Sequence, residues 1–279
     1  MINNGNAHIK CQKLYAISRS LLRQLLPPRI YYWLRDLIVP GEVYCCFKVL
    51  EHLENSSVMI DVGAHVGGSL IKFAQSGWQI FAFEPDNENR KKLEYLCSRE
   101  NLINVKIDSR AVSNENKQNL IFFRSDLSSG ISGLSVFDST HKSAQEVESV
   151  TLNKFCNDNE IKKVNFLKID TEGWDLFVLK GFPFERIKPN IIMAEFEDKK
   201  TVPLGYTFDE MAQYLVDQGY SVAVSEWYPV IQYGGMHKFR QISEYPVNLC
   251  DSMATGNLIA VENKGNLDKI INLVRQYVK

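Results

Sequence analysis

The chain has 279 residues, 45% of them apolar, and its 32 basic and 33 acidic side chains leave a net charge of −1. That composition supports a full buried core in one large domain, or one domain with an appendage. It lacks the basic excess that nucleic-acid binding shows. Six scattered cysteines form no CxxC pair and no Cys/His cluster, which argues against zinc and for reduced thiols in a cytoplasmic protein.

Charge is uneven at the start. Residues 1–50 carry Lys10, Lys13, Arg19, Arg23, Arg29, Arg35 and Lys48 against only Asp36 and Glu42. Apolar residues at helical spacing predict a helix over 13–26, stopped by Pro27-Pro28, and a second over 29–39, stopped by Pro40-Gly41. These form an N-terminal helical extension, residues 1–50, ahead of a main domain over 51–279. Its basic and aromatic residues leave open a cap on that domain, a lid, a contact between two copies or a peripheral membrane contact. No signal peptide is read, and no run approaches the ~20 apolar residues of a membrane span.

From residue 58 onward the pattern alternates. Strands are predicted over 58–62, 79–83, 105–108, 164–170, 191–196, 220–226 and 257–261, and helices over 68–75, 87–100, 172–179 and 208–218. Thr207 and Glu210 make a capping box for the last helix, and Gly219 ends it. Such alternation predicts an α/β fold, a mostly parallel sheet covered by helices on both faces. Two stretches, 112–152 and 227–256, interrupt it and read as long loops on the substrate side.

The turn after the first strand, Gly63-Ala-His-Val-Gly67-Gly68, departs from the dinucleotide fingerprint because His65 replaces the middle glycine. Asp61, two residues before the turn, would repel a pyrophosphate. It suits a ligand with no phosphates, a sulfonium and an ammonium, which is S-adenosylmethionine. Glu84 ends the second strand, where a carboxylate can accept hydrogen bonds from both ribose hydroxyls. The third strand ends at Asp108-Ser109-Arg110, so Ser109 and Arg110 are placed near the adenine. The plainer alternative makes Asp61 and Glu84 capping or surface acids.

These residues lie in segments that resemble the FkbM family of S-adenosylmethionine-dependent methyltransferases. The matching runs are Ile-Asp-Val-Gly-Ala-His-Val-Gly at 60–67, Phe-Glu-Pro at 83–85, Ala-Val-Ser at 111–113, Phe-Leu-Lys-Ile-Asp-Thr-Glu-Gly at 166–173 and Val-Leu-Lys-Gly at 178–181. The resemblance implies a class I methyltransferase fold, Rossmann-like, with seven strands and an antiparallel last one. It also implies O-methylation, often of a hydroxyl on a sugar, glycan or glycosylated natural product. By position, Asp61, Gly63 and Glu84 would hold the cofactor, with His65 and Gly67 in the same loop. His65 stands where the family often has Asn, and Asp175 where it often has Glu.

Methyl transfer to an alcohol needs alignment and removal of a proton. Asp170, at the end of the fourth strand, is placed to act as the base, to hold a divalent metal or to contact the methionine amine. Glu195 and Glu197 end the next strand on one face. With Asp170 they are the candidates for an oxygen-ligated Mg²⁺, or else are salt-bridged surface acids. His237 is the other candidate base, ahead of His141, and both fall in the long interruptions. Residues 127–135, rich in Ser and Gly, and Trp227, Tyr228, Tyr233 and Phe239 are suited to a polyhydroxyl acceptor. Two competing classes are a nicotinamide-dependent sugar oxidoreductase or epimerase, and a non-catalytic scaffold in glycan assembly.

Overall fold

The computed structural model describes residues 25–26, 30–31, 41–53, 57–125, 129–230 and 237–278. The two helices predicted over 13–26 and 29–39 lie, but for four residues, outside the described residues, as do 126–128 and 231–236.

Among the elements fully within the described residues, α1 (Glu42–Leu50) comes first, followed by β1 (Val58–Val62), α2 (Ile71–Gln75), β2 (Gln79–Phe83), α3 (Asn87–Arg99) and β3 (Val105–Asp108). A small insertion follows: β4 (Ala111–Val112), β5 (Lys117–Ser125) and β6 (His141–Val150). The main layer resumes with α4 (Leu152–Asp158), β7 (Phe166–Ile169), α5 (Asp175–Lys180), β8 (Ile191–Glu197), α6 (Asp198–Thr201) and α7 (Phe208–Asp217). It ends with β9 (Ser221–Trp227), β10 (Phe239–Glu244), β11 (Thr255–Val261) and α8 (Lys264–Tyr277).

The main sheet has eight strands in the order β10-β9-β11-β8-β7-β1-β2-β3. β3, β2, β1, β7 and β8 run parallel, and β11 lies antiparallel between β8 and β9. This is the expected class I arrangement with one correction: β10, inside the stretch read as a loop, adds an eighth strand at the β9 edge. The other interruption is corrected too, because β4, β6 and β5 form a separate three-stranded sheet. Its strands are polar at most positions, and of β6 only Val147, Ser149 and Val150 are buried. A strand exposed on both faces leaves no alternation to read.

Residues alternate between two cores along each central strand. Met59, Ile80, Phe166, Met193 and Ile259 face one layer; Ile60, Phe81, Leu167, Ile192 and Leu258 face the other. Burial on both faces explains the continuous apolar runs in the sequence. The first layer takes in α1 through Cys45, Cys46, Phe47, Val49 and Leu50, with Phe47 edge-on to Phe73 at 5.1 Å. The capping box of α7 forms as read, and Asp86 caps α3 by accepting from the amides of Glu88 and Asn89. Two helices start later than predicted. α2 begins after the turn at 65–70, and α5 begins after Glu172 and Gly173, both left-handed at φ 57° and 96°.

Chain direction decides where a ligand fits. From β1 the chain moves outward through β2 and β3, then returns to place β7 on the other side of β1. That reversal opens a crevice at the carboxyl ends of β1 and β7, the switch point where open α/β sheets bind ligands. Among the described residues, no helix is long and apolar enough to cross a membrane.

Candidate active site

The crevice is a cleft of about 740 Å³, open to solvent and lined by Gly63, His65, Glu84, Arg110, Asp170 and Glu172 among others. Its floor is the turn after β1. The amides of Gly63 and Ala64 both donate to the Phe83 carbonyl, at 3.0 Å each, tying the turn to the end of β2. Gly63 has φ +76°, and a Cβ on it would stand 1.9 Å from the Asp170 carbonyl oxygen. Only glycine lets the ends of β1 and β7 approach this closely. His65 is also left-handed, φ 50°, and its amide donates 2.7 Å to Glu84 Oε2.

Glu84 reaches the cleft with 4% exposure, and its second oxygen accepts from the Asp86 amide at 2.9 Å. Burial outweighs these two amides and pushes its carboxyl up to about 8. Arg110 lies across the cleft with its guanidinium clamped on Asp108, at 3.0 Å from Nε to Oδ1 and 2.6 Å from the terminal nitrogen to Oδ2. Its charge is therefore already paired.

Three predicted residues take other places. Asp61 is fully buried beneath the turn, where it accepts from Ser69 Oγ and lies 3.4 Å from Lys168 Nζ. Gly67 has φ +86° and its Cα faces Leu93 and Leu96 of α3, so it serves packing. Ser109 is exposed. None of the three is among the residues lining the cleft.

Lys168, on β7, escaped the sequence reading as a functional residue. Its ammonium is 3.2 Å from Asp170 Oδ2 and 3.4 Å from Asp61 Oδ1, and donates 3.1 Å to the Gly63 carbonyl. One buried cation thus binds the turn, the strand below it and the cleft acid. A lysine inside the apolar run Phe-Leu-Lys-Ile was the available signal, because a buried lysine requires carboxylate partners. Burial would raise the Asp170 carboxyl, but Lys168 and then Lys200 override it and hold Asp170 below the usual range.

The Thr171–Trp174 turn closes one wall. Thr171 Oγ1 donates to Asp175 at 3.0 Å, Trp174 Nε1 donates to Ser113 Oγ at 2.9 Å, and the Gly173 carbonyl accepts from Tyr206 at 2.8 Å. Gly130, Ser132, Gly133 and Leu134, from the Ser/Gly-rich stretch, line the cleft beside this turn, where a Cβ on Gly133 would stand 3.4 Å from the Glu172 Cβ. Gly133 exchanges two backbone bonds with Phe123, and His141 anchors the loop. The His141 Nδ1 accepts from the amides of Phe137 and Asp138, and its Nε2 lies 2.7 Å from the Ile131 carbonyl. With both ring nitrogens engaged, His141 organises the loop.

A second cleft of about 420 Å³ opens at the ends of β8, β9 and β11, lined by Glu195, Trp227, His237, Thr255, Gly256 and Asn257. It contains two of the predicted catalytic residues. Acids from the two clefts come together: carboxylate oxygens of Asp170 and Glu172, from the first, and Glu195, from the second, lie within 4.8 Å of one another. Glu172 takes the place in this group that Glu197 had in the sequence reading. Glu197 is instead buried 2.8 Å from Lys200 Nζ, which also contacts Glu172 at 2.6 Å and Glu195 at 3.2 Å. Burial, reinforced by neighbouring acids, lifts Glu172 and Asp175 to about 7 and Glu195 well above its usual value. Lys200 had no signal in the sequence, since it sits among charged surface-like residues.

Strand order and an acid-lined crevice at the switch point define a class I methyltransferase. The chain belongs to the methyltransferase FkbM domain family, whose profile matches residues 61–222. A hexuronic acid methyltransferase, AglP of Haloferax volcanii, is 27% identical over 166 residues, which cover 58% of this chain and 64% of that protein. Among solved structures, a precorrin-6Y C5,15-methyltransferase from Geobacter metallireducens aligns with TM-score 0.43 at 13% identity, covering 79% of this chain and 88% of that one. A ribosomal RNA methylase from Streptococcus thermophilus aligns with TM-score 0.42 at 10% identity, covering 79% and 96%. The family is one of methyltransferases rather than of nicotinamide enzymes. The cleft suits S-adenosylmethionine as donor: Glu84, Asp170 and Glu172 face it, and among the described residues its one lining cation, Arg110, is paired with Asp108. Such a lining favours a cationic ligand over a pyrophosphate.

Proposed function

We propose that the protein is an O-methyltransferase that methylates a hydroxyl of a sugar, a glycan or a glycosylated natural product. The observation that carries this reading is that Asp170 and Glu172, lining one cleft, and Glu195, lining the other, bring carboxylate oxygens within 4.8 Å of one another. One cleft holds the donor and the other the acceptor, so the reacting groups come together at carboxylates able to receive a proton.

S-adenosylmethionine, when bound, supplies a methyl group activated by a sulfonium. Glu84 would grip the ribose, the Gly63 and His65 backbone would form the floor, and Arg110 would border the adenine end. Asp170, kept ionised by Lys168, would balance positive charge on the methionine portion; an acid held so low is a weak proton acceptor. Glu195, whose affinity for a proton is raised by burial, and His237 face the acceptor side and are the residues to take the hydroxyl proton. Trp227 offers an indole to a sugar ring, because its Nε1 is already bonded to Glu42 at 2.6 Å. Thr255 and Asn257 stand beside it. The uronic-acid acceptor named for the relative supports the carbohydrate class.

The test is methyl transfer from labelled S-adenosylmethionine to glycosides of neutral hexoses, N-acetylhexosamines and hexuronic acids, with the product's methyl located by NMR. An ether methyl on a ring hydroxyl is expected, with Glu195→Gln lowering kcat by about 10²–10⁴. A methyl on nitrogen or on a carboxylate would refute the hydroxyl assignment.

A further inference from the structure

The acids between the two clefts pose an electrostatic problem. Asp170, Glu172 and Glu195 have the grouping expected of an oxygen-ligated divalent cation. Yet Lys200, on α6, brings an ammonium to two of these acids, Glu172 and Glu195, and to Glu197. Its Nζ lies 2.6 Å from Glu172, 2.8 Å from Glu197 and 3.2 Å from Glu195, and the residue is 3% exposed. Glu195 Oε2 accepts a hydrogen bond from this ammonium, and Glu172 and Glu197 are held as ion pairs. The Phe137 ring also lies beside the cation, with 5.3 Å between Nζ and the ring centroid. Phe137 is edge-on to His141, which anchors the cleft loop. The backbone is adapted to the same contact: Glu172 holds a left-handed φ of 57°, and a Cβ on Gly173 would stand 3.0 Å from the Lys200 Cβ.

We propose that the Lys200 ammonium is the resident cation of this cluster and stands where a divalent metal would otherwise sit. Lys200 is a positioning residue: it holds Glu172 on the donor cleft and Glu195 on the acceptor cleft in register, and the enzyme works without Mg²⁺. The inference rests on the two-cleft reading above for the roles of those clefts, but the occupancy of the cluster is tested without any turnover.

The experiment titrates Mn²⁺ into the full-length protein, wild type and Lys200→Ala, by calorimetry, and follows melting with and without millimolar Mn²⁺. Wild type is expected to show no saturable Mn²⁺ binding. Lys200→Ala, with its acids uncompensated, should melt about 10 °C lower, bind one Mn²⁺ and recover more than half of the lost Tm. Lys200→Met fills the space without charge and should not recover, which separates charge from packing. Stoichiometric Mn²⁺ binding to wild type that Glu195→Gln abolishes would overturn the proposal. So would a folded Lys200→Ala that ignores Mn²⁺. If Lys200→Ala does not fold, the wild-type titration decides alone. A parallel titration with S-adenosylhomocysteine keeps the outcomes apart: loss of that binding in wild type would sink the donor-cleft assignment and leave the cation result standing.

Discussion

Glu84→Gln should weaken cofactor binding and at the same time flatten the protein's response to pH. The Glu84 carboxyl is raised from 4.5 to about 8, first by burial, against two backbone amides. A group whose folded value lies above its unfolded one costs stability as pH rises past the unfolded value. The cost grows through the interval from 4.5 to about 8 and is constant above it. At 1.36 kcal/mol per pH unit the full cost is about 5 kcal/mol. Gln carries no such cost, but it turns one amide donor toward the amide of His65 or Asp86, which returns about 1–3 kcal/mol of penalty. The variant should therefore be less stable than wild type near pH 5 and equal or better near pH 9.

Binding runs the other way. Gripping two ribose hydroxyls needs the ionised carboxylate, so S-adenosylhomocysteine should bind wild type about 100-fold more weakly at pH 6 than at pH 9. Glu84→Gln should bind about 10–150-fold more weakly than wild type at pH 9, from the loss of charged hydrogen bonds worth about 1.5–3 kcal/mol, with little dependence on pH. Calorimetric titration over pH 6–9, paired with urea unfolding at the same pH values, measures both. Wild-type affinity that does not change across that range would refute the reasoning, as would unchanged affinity in the variant.

Other expectations follow from the same contacts. Lys168→Met leaves fully buried Asp61 and its neighbour Asp170 without their shared cation, so urea unfolding at pH 7 should show a loss of about 3–5 kcal/mol. Gly63→Ala puts a Cβ 1.9 Å from the Asp170 carbonyl at a left-handed φ. The strained backbone alone costs about 1–3 kcal/mol, and S-adenosylhomocysteine binding should fall below detection by calorimetry. Glu42→Ala strips the acceptor from Ser225 Oγ at 2.7 Å and Trp227 Nε1 at 2.6 Å. It should cost about 1–3 kcal/mol by chemical denaturation and raise the acceptor KM while leaving cofactor affinity unchanged.

Much of the central architecture was legible because burial on both sheet faces forces long apolar runs. The predicted limits of β1, β2 and β3 coincide with the observed ones. The cleft at the switch point was legible for the same reason: it is built from strand ends and the turns after them. Gly63, His65, Glu84, Arg110 and Asp170 all line it. Sequence position could not say which acids would face the ligand and which would be neutralised below it. Asp61 and Asp170 look alike as strand-end carboxylates. In the folded chain Asp61 is fully buried under Lys168, while Asp170 opens into the cleft.

The second cleft needed tertiary structure more. Glu195, Trp227, His237 and Asn257 come together only because β11 inserts antiparallel between β8 and β9, and Glu42 reaches Ser225, Trp227 and Asn257 from the far end of the chain. The sheet of β4, β5 and β6 and the Lys200 cluster share that origin. Local periodicity records how one segment meets the core. Pairings between polar groups distant in sequence, exposed strands and buried ion clusters leave no periodic trace, because the partner that makes each residue necessary lies elsewhere in the chain.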